Sequence, residues 1–300
     1  MVVGAILCGG YSKRLLPLTR DIPKVLLPLK NNYTILDKQI RDFKISGIDT
    51  IYLLVGYKKD KIIKKIKKDY SNLEIKFSIE PRPMGTLFAV KNFWKDVEDD
   101  IIVKNGDTIT YYNIKDFYEY SKSNNYKSTI SVGYMKSTSG VLELENNRII
   151  NFIEKPALNI FVNTGMYYFS NSIKDLFFEN YDKKNLEETV FLKLIKENLM
   201  FAYLEYSEWY PVDNHKDYEE IKKIYRVRKD KDYGYIEGKK GNGKIFIMKN
   251  KNFITNKNYI YEIKKGILKN RKEYKENDKI VGKELNLLAL KSTILEYYML

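Results

Sequence analysis

Residues Gly9 to Lys24 read GGYSKRLLPLTRDIPK, and their types suit phosphate chemistry. An apolar run, Val2 to Leu7, leads into the pair Gly9-Gly10 and then a loop carrying Lys13, Arg14, Arg20 and Lys24. A buried strand that ends this way delivers bare backbone amides and fixed cations to a phosphate chain. The same letters also describe an ordinary strand-to-loop turn with surface lysines, and this segment alone leaves both readings open. Further along, DIIVKNGDT places the carboxylate of Asp107 just past a hydrophobic strand and after the flexible Asn105-Gly106. Ligands of open α/β sheets bind beyond the carboxyl ends of strands, so Asp107 is expected to face the same cleft as the glycine pair. Asn-Gly-Asp is also a common turn, and Asp107 gains its meaning from the first motif.

The Gly9–Lys24 segment resembles the signature of sugar-1-phosphate nucleotidyltransferases, a Gly-Gly-x-Gly-x-Arg-Leu-x-Pro-Leu-Thr run followed by Pro-Lys. The chain keeps Gly9, Gly10, Arg14, Leu15, Pro17, Leu18, Thr19, Pro23 and Lys24, and departs at Ser12, where the family has a third glycine. A positive φ there would be costly for a serine. The resemblance implies that Leu7, Gly9, Gly10, Ser12 and Lys13 bind the nucleotide, that Arg14 and Lys24 are the catalytic cations on the triphosphate, and that Asp107 is a Mg²⁺ ligand. A second carboxylate is needed to hold a hard cation between phosphates. The segment EWYPVDNHKDYEEIKK resembles the place of the family's second metal aspartate, which implies Asp213. Many relatives carry that residue where this chain has Pro211, and Asp217 is read instead as a helix N-terminal residue favoured by the helix dipole.

Three further segments match the family in order. FIEKP implies that Lys155 neutralises the phosphate of the sugar 1-phosphate while Glu154 reaches sugar hydroxyls. VNTGMY implies a sugar contact from Asn163, and Gly140 corresponds to a glycine whose backbone approaches the hexose. EPRPMGT resembles the segment that reads the nucleobase, through Glu80, Gly85 and Thr86, although a proline-rich turn capping a helix would look the same. The implied reaction joins a nucleoside triphosphate to a sugar 1-phosphate and expels pyrophosphate. A phosphate monoester has its second pKa at about 6, so it is largely dianionic near neutrality and needs no general base. The single histidine, His215, is therefore no obstacle. A different class within the same resemblance is a non-catalytic regulatory or scaffold homologue, which tends to lose the Arg, Lys and Asp retained here. Some relatives append an acetyltransferase that uses a histidine; the C-terminal segment has none, and no acetyl transfer is expected.

The elements that must position these residues are those of an α/β fold, a Rossmann-like, mostly parallel sheet flanked by helices. Strands are expected at Val2–Leu7, Thr50–Val55, Glu74–Ile79 and Asp100–Lys104, and helices at Ile35–Ser46, Lys59–Lys68, Gly85–Trp94 and Ile114–Lys122, with Gly47 ending the first as a C-cap glycine would. Ser128–Tyr134, Gly140–Leu144 and Arg148–Ile153 read as a β-rich insertion, followed by a strand at Gly165–Phe169. The texture divides the chain into a nucleotidyltransferase domain at 1–228 and a basic, β-rich C-terminal domain at 229–300. In the latter, Ile247, Ile254, Ile260 and Ile267 recur at a period near that of a β-solenoid, so a degenerate left-handed β-helix and an irregular β appendage are both open.

Of the formal charge of +14, residues Arg226–Leu300 supply 19 Lys and Arg against 9 Asp and Glu. Such a patch suits nucleic acid, anionic lipid or acidic glycan, or simply reflects a Lys/Ile/Asn/Tyr-rich composition. No aromatic-interleaved recognition motif stands out, so nucleic acid is not the expected partner; a role in a homo-oligomer is. One cysteine, Cys8, excludes an intramolecular disulfide and reads as a reactive thiol or, with more weight, an apolar filler at a strand end. With no leader ahead of the first strand and no apolar stretch long enough to span a bilayer, a soluble cytoplasmic protein is expected.

Overall fold

The computed structural model describes residues 2–204, 208–239 and 241–300. Seven strands build the central sheet: β1 (Val2–Leu7), β2 (Ile51–Val55), β3 (Ile75–Ile79), β4 (Asp100–Asn105), β5 (Ser128–Lys136), β6 (Ala157–Phe169) and β7 (Met200–Leu204). Their order is β3-β2-β1-β4-β6-β5-β7. Only β6 runs against the others, pairing antiparallel with β4 and β5. Helices cover both faces, which is why β1, β2 and the Ile101–Val103 part of β4 are unbroken apolar runs rather than alternating ones. Val3, Ala5, Val103 and Phe169 pack against α3 (Thr86–Trp94) on one face. Ile6, Leu53, Ile102 and Tyr168 pack on the other with α1 (Ile35–Ile45), α2 (Lys59–Asp69) and α4 (Ile114–Ser123).

The first four expected strands and the four helices lie where the periodicity places them, to within a residue or two at the ends, whereas the strand expected at Gly165–Phe169 begins eight residues earlier, at Ala157. Thr34 and Asp37 form a capping box at the start of α1, and Gly47 follows its end. The region after α4 differs from the expectation. Ser128–Lys136 is not part of an insertion but a full strand of the central sheet, and the hairpin Val141–Glu145/Arg148–Ile153 alone stands off it, exposed along both strands. The misreading has a physical cause. β5 buries Ser128, Thr129 and Ser131, satisfied by bonds such as Ser121 Oγ to Thr129 Oγ1 at 2.9 Å, so a central strand carries polar letters.

After α5 (His215–Val227) the chain enters a second sheet without a linker: β8 (Arg228–Lys231), β9 (Gly234–Lys239), β10 (Asn242–Ile247), β11 (Asn252–Ile254), β12 (Tyr259–Lys269), β13 (Glu273–Tyr274), β14 (Lys279–Val281) and β15 (Asn286–Met299). Its order is β8-β9-β10-β15-β12-β13, with β11 on β15 and β14 on β12, and every pair is antiparallel. A left-handed β-helix stacks parallel coils, so the solenoid reading is corrected to an antiparallel sheet. The isoleucines that suggested it do not share a face: Ile247 is fully buried and Ile254 is 61% exposed. Tyr235 and Phe246 of this sheet, and Met248 just past β10, join one apolar cluster with Leu15, Ile109, Val212 and Tyr225 of the preceding residues. No described helix is long and apolar enough to cross a membrane.

Candidate active site

The strand order turns back between β1 and β4. β2 and β3 lie to one side of β1, β4 to the other, and the chain crosses over between them. At their carboxyl ends Leu7 stands level with Asn105, and the Gly106 amide donates to the Leu7 carbonyl at 3.1 Å. A Cβ on Gly106 would lie 2.3 Å from that carbonyl oxygen, so only glycine lets the two loops close together. The result is a cleft of about 280 Å³ lined by Leu7, Gly9, Gly10, Glu80, Pro83, Gly85, Thr86, Ala89, Asn105, Gly106, Asp107 and Asn185.

Seven of the sequence-derived site residues therefore meet in one cleft: Leu7, Gly9, Gly10, Glu80, Gly85, Thr86 and Asp107. Glu80 is nearly buried beside Gly9 and accepts the Met84 amide at 3.2 Å; burial raises its carboxyl above the usual range, against that hydrogen bond. The Thr86 hydroxyl is occupied, accepting the Leu186 amide at 2.9 Å. At the mouth, buried Lys24 donates to Asp107 Oδ2 at 2.8 Å and to Asp213 Oδ1 at 3.2 Å. Arg14 reaches the same Asp213 oxygen at 3.2 Å from an exposed loop. Both carboxylates are half-exposed.

Two short strands hold that carboxylate pair. Thr108–Thr110 follows Asp107, Trp209–Pro211 precedes Asp213, and they pair antiparallel with Pro211 opposite Thr108. The Val212 amide then donates to the Asp107 carbonyl at 3.0 Å. Asp217 forms a capping box with Asn214 at the start of α5, and its carboxylate also accepts the Asp213 amide at 3.0 Å. It is a helix-starting residue, as read from the sequence. Ser12 sits at φ 51°, ψ 47°, so the serine does occupy a left-handed position, tied down where Thr19 Oγ1 donates to its carbonyl at 3.0 Å. Neither Ser12 nor Lys13 lines the cleft, and Lys13 lies over the Tyr11 ring instead.

The residues assigned to the sugar phosphate are not in this cleft. Lys155, at φ 47°, lines a second cleft of about 610 Å³ with Lys136, Trp209, Pro211, Asn214 and Lys216, residues on both sides of Asp213 in sequence among them. Glu154 pairs with Lys155 at 3.4 Å and lies close to Gly140. Asn163 is engaged internally: its Oδ1 accepts the Gly165 amide at 2.8 Å and its Nδ2 donates to the Tyr167 hydroxyl at 2.9 Å. Sequence reasoning missed Pro83, Ala89, Gly106, Asn105 and Asn185 in the first, glycine-lined cleft. Asn105 and Gly106 were within the quoted motif, whereas Asn185 comes from a remote loop that carries no signal of its own. Cys8 is a filler: burial first, and then the Asp107 charge, push its thiol far above the ordinary range.

Backbone amides and a small-residue loop at a sheet's switch point are how open α/β proteins take up mononucleotides, and this molecule has that construction. The chain belongs to the nucleotidyl transferase family, whose family model matches residues 3–228. It is 32% identical over 228 residues to mannose-1-phosphate guanyltransferase 2 of Candida glabrata, a match covering 72% of this chain and 62% of that protein. It is 33% identical over 201 residues to the bifunctional protein GlmU of Methanococcus maripaludis, covering 64% of this chain and 46% of that one. The chain thus spans about three-fifths of the first relative's length and under half of the second's. Among solved structures, HddC from Yersinia pseudotuberculosis complexed with GMP-PN is 27% identical with a TM-score of 0.59, over 74% of this chain and 99% of that one.

Proposed function

We propose that this chain transfers a nucleotidyl group from a nucleoside triphosphate to a sugar 1-phosphate, giving a nucleoside diphosphate sugar and pyrophosphate with the help of Mg²⁺. The observation that carries the proposal is the pair Asp107 and Asp213 sharing the Lys24 ammonium at the mouth of a glycine-lined cleft. The new bond joins a phosphate oxygen of the sugar phosphate to the α-phosphorus, and the bond from that phosphorus to the bridging oxygen breaks. The attacking oxygen is already anionic near neutrality, so the chain's task is to bring two anions together and offset their charge.

In this reading the amides of Gly9 and Gly10 receive the triphosphate, and Lys24 and Arg14 offset charge on it. Lys24 is the fixed member, buried and held by two partners, whereas Arg14 is largely exposed. The carboxylate pair fits a hard divalent ion, because two half-exposed oxygens already converge on one cation. When bound there, Mg²⁺ supplies charge neutralisation between the two substrates' phosphates. Glu80, beside Gly9, accepts from the NH edge of the base, and Gly85 lets the backbone approach it. Lys155 receives the sugar phosphate from the neighbouring cleft that it lines, Glu154 and Gly140 meet the sugar beside it, and Asn163 contacts the sugar through capacity left by its internal bonds.

The relatives' names and the GMP-PN in HddC support GTP with mannose 1-phosphate as the substrate pair. Pyrophosphate release across four nucleoside triphosphates, each with glucose, mannose and N-acetylglucosamine 1-phosphates, tests this. The expected result is turnover with at least one pair and the highest kcat/KM for GTP with mannose 1-phosphate; no release with any pair would refute the activity. A homo-oligomer is part of the same proposal, supported by exposed apolar side chains such as Leu144 and Phe152 on the standing hairpin. Light scattering at 35.5 kDa, the mass of one chain, would contradict it.

A further inference from the structure

We infer that Arg228 is a positioning residue: it locks the C-terminal sheet onto the two segments that carry Asp107 and Asp213, and so fixes the spacing of that carboxylate pair. The inference rests on the role proposed above for the pair. Both arms leave their short ladder through residues that converge on the Arg228 side chain. The arm after Asp107 supplies Tyr111, whose ring centroid is 5.2 Å from the guanidinium carbon. The arm before Asp213 supplies Tyr210 at 5.8 Å and Glu208, whose Oε2 accepts from Nη2 at 2.6 Å. The C-terminal sheet supplies Tyr235 at 4.3 Å and Glu237, whose Oε2 accepts from Nε at 2.7 Å. The Tyr235 hydroxyl closes the cluster by donating to the same Glu208 oxygen at 3.1 Å.

Arg228 itself is only 5% exposed and starts β8 directly after α5, the helix whose first turn caps the Asp213 segment. One guanidinium therefore joins three pieces of chain through stacking and two carboxylates. A planar fork that stacks and donates in two directions has no lysine equivalent. Without it Glu208 and Glu237 lose the cation they share, and the aromatic rings lose the plate between them. The ladder from Thr108 to Pro211 is only three residues long on each side, so its register depends on what holds its ends.

The test compares Arg228→Ala and Arg228→Lys with Leu287→Ala, a cavity in the C-terminal sheet's own core away from Arg228. Two readouts are taken on the intact chain: hydrogen exchange at the Val212 amide, which bonds the Asp107 carbonyl, and Mn²⁺ binding followed by its paramagnetic resonance. Both Arg228 variants should lose about tenfold in Val212 protection and about tenfold in Mn²⁺ affinity. Leu287→Ala, compared at a temperature where its overall stability matches theirs, should change neither by more than about twofold. Unchanged Val212 protection in Arg228→Ala, or an equal loss in Leu287→Ala, overturns the inference. A wild-type chain that takes up no Mn²⁺ while Val212 still responds to Arg228 supports the brace and refutes the metal reading instead.

Discussion

Beneath the sheet, Lys38, Asp42 and Lys104 are all at least 97% buried, a triad with one more positive charge than negative. Both lysines bond Asp42, Lys104 at 2.8 Å, and Lys38 also donates to the Thr110 carbonyl at 2.9 Å. Burial works against the Asp42 carboxylate, but Lys104 and then Lys38 hold it below the usual range, while burial lowers Lys104 to about 8. Asp42→Asn strands two buried cations and should cost about 3–5 kcal/mol, whereas Lys104→Met leaves a balanced pair and should be neutral or stabilising by about 1–4 kcal/mol. Urea unfolding of the two variants reads the difference, and equal losses would contradict the account. Ser12 offers the opposite case. Glycine there removes the left-handed penalty at a small entropic cost, so Ser12→Gly should stabilise by about 0.5–1 kcal/mol, read as a higher melting temperature. The residues of the cleft and its mouth that were legible are those whose chemistry needs a neighbour in sequence: Gly9, Gly10 and Lys24 in one loop, Asp107 after Asn105-Gly106. Asn185 and the partner of Arg228 at Glu208 were not, because their meaning is created by contacts between distant segments.

Among elements, α3 begins at a residue the cleft cannot change. Gly85 has φ 94°, and a Cβ there would meet the Lys184 carbonyl oxygen at 2.3 Å. Gly85→Ala should push the 184–186 loop off the start of α3, raising KM for the nucleoside triphosphate several-fold with a smaller change in kcat, at a stability cost of about 1–3 kcal/mol. A rise confined to the sugar phosphate's KM would contradict the placement of this segment at the base. β1, β2 and β4 were legible because a doubly covered strand leaves an unbroken apolar run, interrupted in β4 only toward its ends, where Lys104 is paired with Asp42. β5 was legible as a strand but not as a member of the central sheet, since its buried hydroxyls are satisfied by neighbouring hydroxyls without leaving a hydrophobic trace. For the C-terminal strands the sequence left a solenoid and an irregular β appendage open, because the isoleucine spacing says nothing of strand direction; the antiparallel pairing decides against the solenoid.

At the scale of the whole molecule, the C-terminal sheet is joined to the site-bearing residues by a shared apolar cluster and by the Arg228 cluster. That junction titrates. Burial raises the Glu208 carboxyl, but the Arg228 charge and hydrogen bond outweigh it and hold it below its ordinary value. Its folded pKa being the lower one, Glu208 contributes stability above its unfolded pKa of about 4.3, lost as pH falls through the folded value. The melting temperature should therefore fall less steeply between about pH 5 and 3 in Glu208→Gln than in the unaltered chain. Equal slopes would contradict it. The proposed transfer rests on one lysine and two carboxylates, brought from three distant segments to the mouth of the glycine-lined cleft. Pyrophosphate release from GTP and mannose 1-phosphate by Lys24→Ala, Asp107→Asn and Asp213→Asn measures it directly. Each change is expected to lower kcat/KM by roughly a hundredfold or more while the protein stays folded. Full turnover in Lys24→Ala or Asp107→Asn would contradict the account.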